Sequence, residues 1–177
     1  MQAKRQTRRN PFGPLAANVE LDRRMMRRAL ALAKRGRGYV EPNPMGGCGM
    51  VRNGRIIGEG YHRRFGGPHA EVQALRACAA NPRGATAYVT LEPCSHFGKT
   101  PPCVDALVEA GVVRVVTPLC DPNPQVFGSG VRGLRRAGIE VEGGVLADEA
   151  AELLAPFLTR LRWGRPYVIA KWAESAD

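Results

Sequence analysis

The sequence lacks several features that would place it in other protein classes. No apolar run approaches the ~20 residues that a membrane-spanning helix requires, and the N-terminal region has no apolar signal-peptide core. The 177 residues contain no internal repeat and no Gly-rich dinucleotide-binding loop. The five cysteines are an odd number in a chain without secretory features, which argues against a disulfide framework. We therefore expect a cytoplasmic globular protein with one main domain and no membrane partner.

Acidic residues are scarce at the N-terminal end of the chain. Residues 1–37 contain 11 Lys or Arg against 2 Asp or Glu, a net charge of +9, whereas the remainder has 15 against 14, a net charge of +1. The composition of residues 1–17 predicts a disordered basic tail. Such a tail could contact nucleic acid, but no aromatic residues that could stack on bases are interleaved with its Lys and Arg residues. We interpret it as a solvated segment and expect no nucleic-acid partner.

Hydrophobic periodicity predicts a helix, a hairpin, and then alternating helices and strands. The Asn53-Gly54 pair between strands 47–51 and 55–60 is typical of a tight hairpin turn. The predicted helices cover residues 21–35, 70–80, 102–110, 130–137 and 147–162, and the other predicted strands cover residues 85–91, 112–118, 139–142 and 167–172. This order indicates an α/β fold, namely a three-layer α/β/α sandwich with a mixed sheet.

One set of residues has the composition of a catalytic zinc site. His69 and Glu71 stand at a predicted helix start, Cys94 follows Pro93 at a predicted strand end, and Cys103 lies near the next helix start. One imidazole and two thiolates leave the fourth tetrahedral position of zinc open for water. The zinc deaminases of nucleobases use such an H-x-E element and a P-C element, with the Glu as proton shuttle rather than ligand. We therefore predict that His69, Cys94 and Cys103 bind Zn²⁺ and that Glu71 is catalytic.

This set differs from the usual spacing, since eight residues rather than two separate the cysteines. Zinc would lower the pKa of its water from ~15.7 toward ~7 and so make hydroxide available to attack an amine-bearing carbon. Glu71 would move the protons. Glu92, the other acid nearby, is interpreted as structural, and Cys48, Cys78 and Cys120 as small apolar fillers.

Several motifs together resemble the bacterial riboflavin-biosynthesis deaminase, a member of the cytidine deaminase-like superfamily. They cover about residues 20–145, and the long insert between the two cysteines is that family's own form. The motifs are Asn43-Pro44, Gly58-Glu59-Gly60-Tyr61-His62, His69-Ala70-Glu71, the run Thr90 to Cys103 and Asp121-Pro122-Asn123-Pro124. Residues 45–50 depart from the family in carrying extra glycines, which we expect to weaken the strand and loosen the pocket wall.

The resemblance implies a reaction and a set of substrate contacts. The reaction is hydrolysis of 2,5-diamino-6-ribosylamino-4(3H)-pyrimidinone 5′-phosphate to 5-amino-6-ribosylaminouracil 5′-phosphate plus ammonia. The matching positions for pyrimidine, ribose and phosphate are Asn43, His62, Lys99, Asp121 and Asn123, with His96 and Thr100 as further candidates for phosphate. A cation suits a phosphorylated substrate, and Lys99 supplies one.

The resemblance also divides the chain and suggests its assembly. Residues 18–146 correspond to the deaminase domain, and residues 147–177 resemble the opening of the reductase half found in bifunctional relatives. We expect no reductase activity and no nicotinamide cofactor, and the resemblance implies a homo-oligomer. Two alternatives stay open at this point: a nucleic-acid base deaminase acting on tRNA, and a non-catalytic zinc-binding module.

Overall fold

The computed structural model describes residues 19–123 and 126–175, so the predicted tail, residues 1–17, lies outside the described residues. The helices are α1 (Val19–Ala33, extended by a 3-10 turn at Lys34–Gly36), α2 (Ala70–Arg76), α3 (Cys103–Glu109), α4 (Ser129–Arg136), α5 (Ala147–Leu153) and α6 (Ala155–Trp163). The strands are β1 (Gly47–Arg52), β2 (Arg55–Tyr61), β3 (Thr86–Val89), β4 (Arg114–Thr117) and β5 (Glu140–Gly143). None of these helices is long and apolar enough to cross a membrane.

The five strands form one mixed sheet in the order β2-β1-β3-β4-β5. Strand β1 is antiparallel to both β2 and β3, whereas β3, β4 and β5 run parallel. At the predicted hairpin turn, Asn53 and Gly54 have φ of 52° and 72°. Positive φ at both central residues is the type I′ pattern, which matches the twist of the flanking strands.

Helices cover both faces of the sheet, which confirms the predicted three-layer α/β/α sandwich. One apolar cluster joins α1, α5 and α6 to residues such as Val116, and the other joins α2, α3 and α4 to residues such as Val115. Successive strand residues point to opposite faces, so Val115 and Val116 serve different layers. Because α5 and α6 pack in the same cluster as α1, they belong to the main core, and the domain boundary at residue 146 stays a prediction.

The glycines of β1 do not interrupt the strand, which lies between two neighbours. A Cβ on Gly47 would meet the backbone of α1, where the amide nitrogen of Ala33 would lie 2.8 Å away. Glycine at this position therefore allows α1 to pack directly on the sheet. The expectation that the extra glycines weaken the strand and loosen the pocket wall stays a prediction.

Two predictions for the C-terminal segment were wrong. The predicted helix 147–162 is divided in two at Leu154, because Pro156 in the first turn of α6 cannot donate the hydrogen bond that would continue α5. The predicted strand 167–172 is absent, since residues 165–175 are irregular and exposed and have no neighbouring strand to pair with. Helix α2 is also shorter than predicted, because the amide of Ala79 leaves the helix and donates to the Ile57 carbonyl at 2.8 Å.

Candidate metal centre and active-site cavity

Three separate elements bring the predicted zinc ligands together. His69 is the N-cap residue of α2, Cys94 lies in the loop after β3, and Cys103 is the first residue of α3. The Nδ1 atom of His69 lies 3.5 Å from Sγ of Cys94 and 3.4 Å from Sγ of Cys103. Zn–S bonds of about 2.3 Å and Zn–N bonds of about 2.0–2.1 Å at a tetrahedral angle give an S–N separation of about 3.6 Å. The two distances therefore fit one zinc ion.

The group contains three ligand atoms, all within 4.8 Å of one another, and no carboxylate of the described residues belongs to it. The backbone N–H of Cys103 donates to Sγ of Cys94 at 3.3 Å. The neighbouring Cys103 and His69 lower the pKa of the Cys94 thiol below its ordinary value, against the effect of burial. The neighbouring Cys94, followed by burial, raises the pKa of the Cys103 thiol.

Glu71 lies in the first turn of α2, two residues after His69, and its side chain is buried. Burial, followed by the neighbouring Cys94, raises the pKa of its carboxyl above the ordinary value. A raised pKa makes the carboxylate a stronger base, which is the property that a proton-transferring group needs near neutral pH.

A buried histidine stands beside the ligand group. The ring of His62 meets the ring of His69 edge to face, with centroids 5.2 Å apart. Its Nδ1 lies 3.1 Å from the carbonyl oxygen of Pro68, which can only accept, so we assign the proton to Nδ1. Nε2 then accepts from the side-chain amide of Asn43 at 3.4 Å. Burial lowers the pKa of His62, so its ring is neutral at physiological pH.

Glu92 has a structural role, as predicted. One carboxylate oxygen accepts from the backbone N–H groups of Asp121 and Gly128, both at 3.0 Å. The other accepts from Gly130 at 2.8 Å and Val131 at 3.2 Å. The carboxylate thus joins the end of β3 to the start of α4 and to the loop of Asp121. That loop is fixed further by the side chain of Asp121, which accepts from the N–H of Asn123 at 2.8 Å.

A cavity of about 360 Å³ opens next to the ligand group. Ten of the eleven predicted site residues line it, namely Asn43, His62, His69, Glu71, Cys94, His96, Lys99, Thr100, Asp121 and Asn123. The eleventh, Cys103, does not line the cavity and is fully buried behind it. The structure therefore gathers residues that are up to 80 positions apart in the chain around one space.

The cavity also contains residues that the sequence analysis missed. Phe65 lies under the Lys99 ammonium, which is 4.1 Å from the centre of its ring. Phe157, Arg160 and Leu161 of α6 form part of the wall. Their spacing places them on one helix face, but no local sequence pattern shows that this face borders the cavity.

This site is that of a zinc-binding nucleobase deaminase. Residues 19–119 match the family described as cytidine and deoxycytidylate deaminase zinc-binding region, so the prediction of a zinc site is confirmed. The Diaminohydroxyphosphoribosylamino-pyrimidine deaminase of Buchnera aphidicola subsp. Schizaphis graminum is 46% identical over 145 residues, which is 82% of this chain and 99% of that protein. The chain belongs to this family of riboflavin-biosynthesis deaminases, as its motifs predicted.

Longer relatives match over part of their length. The riboflavin biosynthesis protein RibD of Escherichia coli K12 is 56% identical over 156 residues, which is 88% of this chain and 42% of that protein. The structure of Acinetobacter baumannii RibD, form 1, is 52% identical with a TM-score of 0.81, covering 84% of this chain and 42% of that one. The chain thus spans less than half the length of these RibD proteins.

Proposed function

We propose that this chain is a zinc-dependent hydrolase that acts on 2,5-diamino-6-ribosylamino-4(3H)-pyrimidinone 5′-phosphate. Water would replace the 2-amino group, giving 5-amino-6-ribosylaminouracil 5′-phosphate and ammonia. The observation that carries the proposal is the three-ligand group at the wall of a cavity that also contains the buried carboxyl of Glu71. A relative matched over 99% of its length is named for deamination of this class of pyrimidine.

The roles of the site residues follow from their chemistry. His69, Cys94 and Cys103 would hold zinc, which when bound lowers the pKa of a water from ~15.7 toward ~7. Glu71 would accept a proton as the water oxygen bonds to C2 of the pyrimidine and would deliver it to the adjacent ring nitrogen. The second proton of the water would leave with the amine as the C2–N bond breaks. One water is consumed and one ammonia is released, with a single carboxylate as acid and base.

The other residues in the cavity would bind and orient the substrate. Neutral His62 and the amide of Asn43 suit hydrogen bonds to the ring edge, and Asp121 and Asn123 suit ribose hydroxyls and ring nitrogens. Lys99 would bind the 5′-phosphate, with His96 and Thr100 as further contacts. A fixed orientation of C2 toward Glu71 is what these contacts would contribute to the rate.

Two variants test the assignment on zinc-loaded protein. Glu71→Gln should keep zinc and lose about 10²–10⁴-fold in ammonia release, because Gln cannot transfer the proton. His69→Ala should lower the zinc content measured by metal analysis, because one of three ligands is gone. Unchanged turnover in Glu71→Gln would remove the shuttle role. Deamination of tRNA but not of the pyrimidine by the wild type would favour the nucleic-acid alternative.

We also infer that the protein is a cytoplasmic homo-oligomer. The cytoplasm keeps thiols reduced, as two cysteine ligands require. Several large apolar side chains between residues 163 and 172 are exposed, and exposed apolar patches mark interaction surfaces. Light scattering after size-exclusion chromatography would give the mass, and a single 19.2 kDa species would contradict the oligomer. We further propose that residues 164–177, the part of the predicted segment 147–177 that follows α6, correspond to the opening strand of a reductase half.

A further inference from the structure

Helix α6 forms a wall of the active-site cavity although it lies outside the zinc-binding region that ends at residue 119. Phe157, Arg160 and Leu161 line the cavity, and their i, i+3, i+4 spacing places them on one face of the helix. Two of the three are apolar and close the wall. Arg160 adds a full positive charge that is not needed for closure.

The contacts of Arg160 leave most of its hydrogen-bonding capacity unused. Its Nη2 donates to the carbonyl oxygen of Pro42 at 3.0 Å, and the next residue, Asn43, also lines the cavity. Within residues 19–123 and 126–175, no carboxylate forms an ion pair with it, whereas Arg28 and Arg114 are paired. A guanidinium has five N–H donors. Arg160 is exposed to solvent at the cavity, and the bond to Pro42 holds its guanidinium there without a carboxylate of the described residues to pair with it.

A second cation, Lys99 in the loop before α3, lines the same cavity. Lys99 lies over the ring of Phe65 at 4.1 Å, and that contact fixes its ammonium without neutralising it. Three acidic residues also line the cavity. Glu92 accepts four backbone N–H groups, Asp121 accepts the N–H of Asn123, and Glu71 is buried beside the predicted zinc ligands, so none of them is ion-paired with Arg160 or Lys99. Two uncompensated cations in one cavity are suited to a dianion.

We propose that Arg160 is a phosphate-binding residue, acting from α6 together with Lys99 on the 5′-phosphate of the substrate. The inference rests on the proposed function, which supplies a phosphorylated pyrimidine. A guanidinium matches phosphate oxygens with two parallel hydrogen bonds, whereas an ammonium acts as a point charge. Arg160 would thus set the orientation of the phosphate, and the enzyme would distinguish the phosphorylated substrate from its dephosphorylated form through this residue.

The test compares the wild type with Arg160→Met on the substrate and on its dephosphorylated form. Loss of a charged hydrogen bond should lower kcat/KM for the phosphorylated substrate about 10- to 100-fold, mainly through KM. Activity on the dephosphorylated form should change by less than about 3-fold. Arg162→Met is the matched control, because Arg162 lies in the same helix, is exposed and does not line the cavity. Both of its rates should stay at the wild-type level.

A second readout does not depend on turnover. Ribose 5-phosphate binding to the zinc-loaded proteins, measured by calorimetry, should weaken about 10-fold or more in Arg160→Met and not in Arg162→Met. Equal losses on the two substrates, or unchanged ribose 5-phosphate binding, would leave Arg160 as a structural bridge to Pro42 and overturn the inference. A wild type that releases no ammonia from the pyrimidine would overturn the proposed function, while the binding measurement would still decide the role of Arg160.

Discussion

Replacing Glu92 by Gln should destabilise the protein strongly although the two side chains have nearly the same shape. Each carboxylate oxygen of Glu92 accepts two backbone N–H groups at 2.8–3.2 Å. Gln offers one acceptor oxygen and one NH₂ group, so two of the four donors would face another donor. Each buried donor left without an acceptor costs about 1–3 kcal/mol, which gives a loss of about 2–6 kcal/mol. That is a large share of the roughly 5–15 kcal/mol by which domains are stable.

Urea unfolding of the zinc-loaded protein measures this loss, provided that the slope of the transition stays unchanged. Glu140→Gln is the control, since Glu140 is exposed and contacts Arg114 at 3.2 Å on the surface, where an ion pair contributes less than about 1 kcal/mol. We also expect a raised KM in Glu92→Gln, because the Asp121 loop loses its anchor. A loss of stability below about 1 kcal/mol in Glu92→Gln would refute this account of the carboxylate.

Two further predictions concern the core. Gly47→Ala should lower the free energy of unfolding by about 1–3 kcal/mol in the same assay, because the new methyl group meets the α1 backbone. Gly49→Ala is the control and should change stability by less than about 1 kcal/mol, because its methyl group would find open space. Equal losses in the two variants would contradict the packing argument. Burial opposes ionisation of Asp22, but hydrogen bonds from Arg114 and Tyr88 outweigh it and lower its pKa below 3.8. A carboxylate with a lowered pKa stabilises the fold above its unfolded-state pKa, and this stability is lost as the pH falls through its folded-state pKa. Asp22→Asn should therefore flatten the decline of the unfolding free energy below about pH 4. An unchanged acid profile in that variant would contradict the assignment.

Features with local causes could be predicted from the sequence. The turn at Asn53-Gly54 needs only two residues that tolerate positive φ. The approach of His69 to Cys94 follows from a helix start after β2 and a loop after β3 that lie at one edge of the mixed sheet, because β2 and β3 run in the same direction. The three-layer arrangement follows from the alternation of elements, because each strand after the hairpin requires a crossover helix.

Features that depend on distant partners could not be predicted in this way. Residues 167–172 have the composition of a strand, yet a strand forms only where a neighbour offers its backbone, and β2 and β5 are edges that this segment does not reach. Phe157, Arg160 and Leu161 lie within the predicted helix 147–162, but the periodicity of that segment does not show that they line the cavity. The contact of Phe65 with Lys99 likewise joins two loops whose sequences carry no common pattern.

The position of α6 determines how far a C-terminally shortened protein must extend to stay active. A shortened protein ending at residue 119 would keep the three predicted zinc ligands but would lose Leu153, Leu154 and Leu158 from the apolar cluster around α1. It would also leave one side of the cavity open to water. A protein shortened to the zinc-binding region alone should therefore aggregate or be inactive. The smallest active fragment should extend to the end of α6 at Trp163.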